Sequence, residues 1–179
     1  MKWYDAYDSF LKHNGFAKAF PTVDDLTRAM GNVAFYYQGR VIENIRISNT
    51  VDAYAVNGWE SMKLENHSGI VDNYRFPKGD PEVMARYNAP LYLAVKMNRK
   101  VVSTGDTTLV DTYIVNEKNL KGSYILNLVA KDESGNVVAS HKERVTVKGG
   151  NDYGQCLQSG WAFIPKSKGY TLSLIHISE

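Results

Sequence analysis

From Trp3 to Ile47 the apolar residues return every three or four positions: Trp3, Tyr7, Phe10 and Leu11, then Leu26, Met30, Val33 and Tyr37, then Val41, Ile42 and Ile45. That is the helical period, so this stretch predicts helices. Thr22, with Pro21 ahead of it and Asp24-Asp25 behind, marks a helix start. Val51–Val56 then predicts a short buried strand running straight into Asn57-Gly58-Trp59-Glu60. From Ala89 the texture changes to strands and turns. Strands are predicted over Leu91–Met97, Thr108–Val115, Ser123–Ala130, Val137–Val147 and Tyr153–Leu157, at a spacing of roughly 10–15 residues that is the mark of a β-sandwich. Asn119–Gly122, Asp132–Asn136 and Gly149–Asp152 supply the turns between them. Phe76-Pro77-Lys78-Gly79-Asp80-Pro81 breaks any continuous element at the join, since it holds two prolines and a glycine.

Composition narrows the classes. The chain has 179 residues, 44% of them hydrophobic, which is enough to fill the core of one ordinary domain or somewhat more. Lys and Arg number 21 against 19 Asp and Glu, and the signs are interspersed, so a nucleic-acid module or a polybasic membrane surface is not expected. A single cysteine, Cys156, excludes a disulfide framework within the chain and a Cys-rich zinc site. No apolar run approaches the roughly 18–20 residues of a membrane span, and Lys2-Trp3-Tyr4-Asp5 lacks the charged leader and apolar run of a secretion signal.

Two stretches then carry a resemblance. Tyr54-Ala55-Val56-Asn57-Gly58-Trp59-Glu60, followed by Asn66-His67-Ser68-Gly69-Ile70-Val71-Asp72-Asn73-Tyr74-Arg75-Phe76-Pro77-Lys78, resembles the last barrel strand, its long loop and the exit of a glycoside hydrolase family 2 enzyme. In that family an aromatic-acid pair ends strand eight, and a Gly-Ile/Leu-Val/Ile-Asp-x-Tyr/Phe-x-x-Pro-Lys run leads into an immunoglobulin-like sandwich. Leu91–Val147 is similar to that sandwich, and the resemblance spans roughly residues 20–160. It implies an α+β piece of a longer protein: the last helices and strand of a (β/α)8 barrel over 1–78, a linker over 79–87, and an all-β immunoglobulin-like sandwich over 88–171. The remaining Leu172–Glu179 resembles the translation of a sequencing-library adapter, although Leu172, Leu174, Ile175 and Ile177 would also suit a terminal strand.

The same resemblance implies what the residues do. In the family the general acid/base follows barrel strand four and the nucleophile follows strand seven, so neither glutamate falls within this chain and no catalytic residue is expected in it. Trp59 matches the strand-eight tryptophan that floors the subsite of the reacting sugar. A flat aromatic suits that task because the C–H face of a sugar is apolar. The alternative is a core tryptophan closing the barrel. Glu60 stands where barrel sites gather their functional groups, at the C-terminal end of a strand, or else it caps a nearby loop. Gly58 permits close backbone approach. Asn57 and His67 are candidates for contacts to sugar hydroxyls. The resemblance further implies a cis peptide between Trp59 and Glu60 in the parent enzyme.

Other acids and histidines read as structural. Glu43 in its helical setting is expected to be a solvated or salt-bridged surface residue, and Glu65 and Asp72 are expected to be turn and supporting acids. His13 and His141 share no metal spacing with each other or with Cys156, which is expected to be a small buried hydrophobe. No cofactor or metal is expected; the expected partner is a carbohydrate, a β-glycoside or oligosaccharide. The leading function is thus a piece of a retaining β-glycosidase, similar to β-galactosidases and β-glucuronidases. The alternative is a noncatalytic immunoglobulin-like accessory or carbohydrate-binding module, which a row of exposed aromatics among Tyr92, Tyr113 and Tyr124 would favour.

Overall fold

Thr22 opens the long helix by a reciprocal pair of bonds: its Oγ1 accepts the Asp25 N–H at 3.1 Å while its own N–H reaches Asp25 Oδ2 at 3.0 Å. The computed structural model in which this is seen describes residues 2–60, 69–166, 168–169 and 172–178, the last stretch by its backbone. The described elements are α1 (Lys2–His13), a 3-10 turn (Phe16–Lys18), α2 (Val23–Ser48), α3 (Pro81–Tyr87) and six strands: β1 (Leu91–Met97), β2 (Thr108–Asn116), β3 (Gly122–Lys131), β4 (Val137–Val147), β5 (Gly154–Phe163) and β6 (Leu172–Ser178). They divide into two compact units, Met1–Glu43 with Ala53–Asn88, and Asn44–Asp52 with Ala89–Glu179.

In the first unit one face of α2 lies against the 78–87 stretch. Gly31 and Gly39 make the close approach possible: a Cβ on Gly31 would sit 1.9 Å from the Lys78 carbonyl oxygen, and one on Gly39 would sit 2.0 Å from Cδ2 of Tyr87. Phe35, Ile42, Met84 and Tyr87 are buried in this unit. A second stripe on α2, Met30, Val33, Tyr37 and Val41, is exposed, as are Trp3, Tyr7 and Phe10 of α1.

The stretch expected to be a linker contains α3 instead. Asp80 Oδ1 accepts the Glu82 N–H at 3.0 Å as N-cap, and Pro81 at the first helical position needs no amide partner there. Residues 51–56, expected to be a buried strand, form none, and Val51, Tyr54 and Val56 are exposed. A strand is stabilised by ladders to its neighbours, and among the described residues no strand flanks this one. It is tied to the described residues by the Tyr54 hydroxyl, which donates to Asn88 Oδ1 at 2.6 Å.

The second unit is built from two three-stranded antiparallel sheets, ordered β1-β2-β5 and β4-β3-β6. Alternate residues of β2, β3 and β4 meet between them, and Ile114, Tyr124, Leu126, Leu128, Val145 and Val147 form the core. The strands match the expected ones closely except β5, which runs on to Phe163. Its extension depends on a bulge, in which Ser159 and Gly160 together oppose Asp111. Asp111 Oδ1 accepts both the Ser159 hydroxyl and the Gly160 N–H at 2.7 Å, and Gly160 takes the φ of 73° that only glycine adopts cheaply.

The end of α2 belongs to this unit. Arg46 Nη2 donates to the Ala89 carbonyl and to Glu117 Oε1, each at 2.7 Å. Asn49, at φ 54°, ends the helix in the left-handed conformation that asparagine tolerates.

Candidate functional site

The stretch that carries the family resemblance folds as a knot of three short segments. Two backbone N–H groups, of Ile70 and Val71, converge on the Trp59 carbonyl at 3.0 and 3.1 Å. Val71 bridges in parallel to Glu60 and antiparallel to Pro77, and Lys78 N–H donates to the Ile70 carbonyl at 3.1 Å. The bonds are local because the sequence supplies sharp reversals: Gly58 and Gly69 sit at φ 72° and 81°, and Arg75 at 68°. Asp72 holds the second reversal, its Oδ1 accepting the N–H groups of Tyr74 at 2.8 Å and Phe76 at 2.9 Å. This is the turn role expected of Asp72.

Packing splits this knot into a buried anchor and a solvent-facing rim. Val71 is 5% exposed, whereas Trp59 is 63%, Phe76 68% and Tyr74 75% exposed. Trp59 is therefore no core tryptophan in this structure. Glu60 pairs with Arg75 at 3.7 Å, both side chains facing solvent, and Asn57 is exposed. His67 and Glu65 lie outside the described residues. The Trp59–Glu60 bond is trans. Sequence reasoning singled out Trp59 but passed over Tyr74 and Phe76. The signal was an aromatic at each alternate position between Asp72 and Pro77, inside a turn that cannot bury them.

Elsewhere two expectations are corrected. Glu43 is salt-bridged, to Arg40 at 2.6 Å, as one of its two expected states had it, but it is 1% exposed and not on the surface. Its helix position falls on the packed face beside Gly39 and Ile42, where a carboxylate is retained by a partner one turn away. Burial first, and then the charge of Glu43, push the nearby Tyr87 hydroxyl up. Cys156 is exposed, because the bulged β5 sets it opposite Tyr113 rather than toward the core. Its sulfur donates to the Gln158 carbonyl at 3.5 Å, and local burial together with the charge of Asp111 pushes the thiol up.

His13 and His141 belong to different units. His13 Nδ1 lies 2.7 Å from the Ser9 carbonyl within α1, and His141 stacks on Trp161 at 5.7 Å beside Glu143. Among the described residues no three His, Cys, Asp or Glu side chains gather as a metal site, and no described helix is long and apolar enough to cross a membrane. The sandwich unit carries a cleft of about 620 Å³ lined by Met97, Lys100, Val101, Phe163 and Pro165, on elements other than those of the Trp59 knot.

No protein-family model and no curated protein matches the chain. Among solved structures it is similar to a glycosyl hydrolase family 2 member from Bacteroides cellulosilyticus DSM 14838, at 18% identity and a TM-score of 0.39, over 50% of this chain and 14% of that one. A second structure of a glycosyl hydrolase family 2 member from Bacteroides cellulosilyticus matches at 18% identity and a TM-score of 0.38, over 50% of this chain and 13% of that one. The chain thus spans about one seventh of the length of each structure it is similar to.

Proposed function

We propose that the chain is a piece of a retaining β-glycosidase that carries part of a sugar subsite but not the carboxylate pair of the chemistry. The observation that carries this reading is the presentation of Trp59: a large aromatic, 63% exposed, whose carbonyl is pinned by two amides. An indole held by its backbone and left open to solvent offers the apolar surface on which a pyranose C–H face is buried. Glu60, Arg75 and Asn57 supply polar groups around it, carboxylate to accept from hydroxyls and guanidinium to donate to them.

Retaining hydrolysis needs one carboxylic acid to protonate the leaving oxygen and one carboxylate to attack the anomeric carbon, about 5–5.5 Å apart. Glu60 by itself cannot fill both roles, and Glu43 is buried against Arg40. The 179-residue chain should accordingly show no turnover on aryl β-galactosides or β-glucuronides. In the full-length parent enzyme Trp59→Ala should lower kcat/KM by roughly 10–200-fold, the cost of one apolar subsite contact. Turnover by the isolated chain that Glu60→Gln abolishes would overturn the assignment.

The accessory-module reading has less support. Tyr92 and Tyr113 share the outer face of β1 and β2, since Ala94 pairs with Tyr113 and Tyr92 with Val115, yet both are half-buried. Tyr124 is in the core, so no row of three exposed aromatics forms.

A further inference from the structure

We propose that Asn57-Gly58 is a site of spontaneous covalent modification, at which the side-chain amide is lost through a succinimide and the main chain reopens as aspartate or isoaspartate. The chain holds two Asn-Gly pairs, Asn14-Gly15 and Asn57-Gly58. Glycine after asparagine is the reactive arrangement, because a residue without Cβ leaves its N–H open to the neighbouring side chain. The structure puts the two pairs in opposite states. Asn14 follows the last residue of α1, and its backbone N–H and its side-chain Nδ2 both donate to the Phe10 carbonyl, at 3.1 and 2.9 Å. Its Cγ can turn onto the Gly15 nitrogen only after those bonds open. Asn57 is exposed, at the end of a stretch that forms no helix or strand. Among the described residues no hydrogen bond engages its side chain or the Gly58 N–H.

The reaction needs water and nothing else. The Gly58 nitrogen attacks Cγ of Asn57; a C–N bond forms as the Cγ–Nδ2 bond breaks, and the amide nitrogen leaves as ammonia with the proton that Gly58 gives up. Water then adds to one of the two ring carbonyls. Opening at Cγ leaves aspartate, whereas opening at the main-chain carbonyl carbon leaves isoaspartate, with the chain now running through Cγ. No atom is oxidised or reduced. Both products set a carboxylate where an amide stood, and isoaspartate also lengthens the main chain by one methylene two residues before Trp59.

The test ages the whole chain in mildly alkaline buffer, both folded and in urea. Peptides spanning residues 14 and 57 are followed by mass for the change from amide to acid, and isoaspartyl methyltransferase with labelled S-adenosylmethionine counts the isoaspartate. In the folded chain Asn57 should convert about tenfold faster than Asn14 or more, because two hydrogen bonds must open first at Asn14. In urea the two rates should come within about threefold of each other, and in the folded chain Gly58→Ala should slow conversion of Asn57 by about tenfold. A folded-state rate at Asn57 no higher than at Asn14 would overturn the proposal, as would a gap that survives in urea. Acid at residue 57 without isoaspartate would mean direct hydrolysis and sink it too. Gly58→Ala strains a φ of 72°; if that variant fails to fold, the folded and urea rates of the unaltered chain decide alone.

Discussion

The side chain of Asn49 brackets the backbone of Gly154: its Oδ1 accepts the Gly154 N–H at 2.7 Å while its Nδ2 donates to the Gly154 carbonyl. One amide thereby stands in for a neighbouring strand at the start of β5. Each such bond is worth about 0.5–1.5 kcal/mol net, so Asn49→Ala should cost about 1–3 kcal/mol in urea unfolding of the sandwich unit. Asn49→Gly, which keeps the φ of 54° without strain, should recover only the backbone part of that loss. Gly154→Ala should be at least as damaging as Asn49→Ala, because its Cβ would fall 2.6 Å from Cα of Ile47. A wild-type midpoint for Asn49→Ala would refute the bracket.

Gly39 tests the packing of α2. Alanine in an exposed helix interior is favoured over glycine by about 1 kcal/mol, but here the added methyl meets the Tyr87 ring at 2.0 Å. Overpacking of that kind costs about 1–3 kcal/mol, so Gly39→Ala should destabilise. In the Tyr87→Ala background the sign should reverse, and a double-mutant cycle reads the coupling directly.

Trp59 and Phe35 should behave oppositely. Phe35 is fully buried, and Phe35→Ala should cost about 3–5 kcal/mol. Trp59→Ala removes a larger side chain and should shift stability by no more than about 0.5 kcal/mol, since that side chain is 63% exposed. Thermal melts of the two variants side by side decide it; a large loss for Trp59→Ala would mean the indole serves the fold rather than a ligand.

Asp132 gives the β3–β4 turn a defined pH response. The Asn136 side chain and backbone amides of 134–136 hold its carboxyl below the ordinary carboxylate range. A carboxylate with a depressed folded-state pKa contributes stability above its unfolded value and loses it as the pH falls through the lower one. The turn should therefore be intact at neutral pH and loosen only in strong acid. Amide shifts of Ser134 and Asn136 followed by NMR down to about pH 2 should move together with the Asp132 carboxyl; movement already near neutral pH would contradict the arrangement.

Cys156 is accessible and yet should be sluggish. Its thiol is pushed up by burial and by Asp111, and the thiolate is the species that reacts. Alkylation by iodoacetamide should reach half its maximal rate at a higher pH than for a small free thiol. A profile matching the free thiol would rule the effect out.

Sequence periodicity located the long helix and all five sandwich strands before β6, because alternation and turn residues agree there: Leu91–Met97 and Val137–Val147 are found at the expected bounds. It failed where a partner decides the state. Val51–Val56 has strand composition but no described strand beside it, and Asp80-Pro81, read as a stop, is the cap and first position of α3. Cys156 was misplaced because alternation assumes an unbroken pleat, and β5 is broken. At the candidate site Trp59 was legible from its motif. Its exposure, and the company of Tyr74 and Phe76, depended on bonds between residues 59, 70, 71, 72 and 76 that no local pattern encodes.

The bulge at Ser159-Gly160 sets the phase of everything after it in β5. Val110 pairs with Trp161 and Thr108 with Phe163 only because one extra residue has been spent opposite Asp111. Losing one residue between Gln158 and Trp161 would leave a single residue opposite Asp111 and close the bulge with Trp161 still opposite Val110, whereas losing Ala162 would set Phe163 opposite Leu109 and invert the inward and outward positions of the strand's end. The carboxylate of Asp111 thus works as a frame marker. Length changes beyond Phe163 leave the core of the strand unread and a loss at the bulge is absorbed by it, while a loss at Ala162 rewrites it.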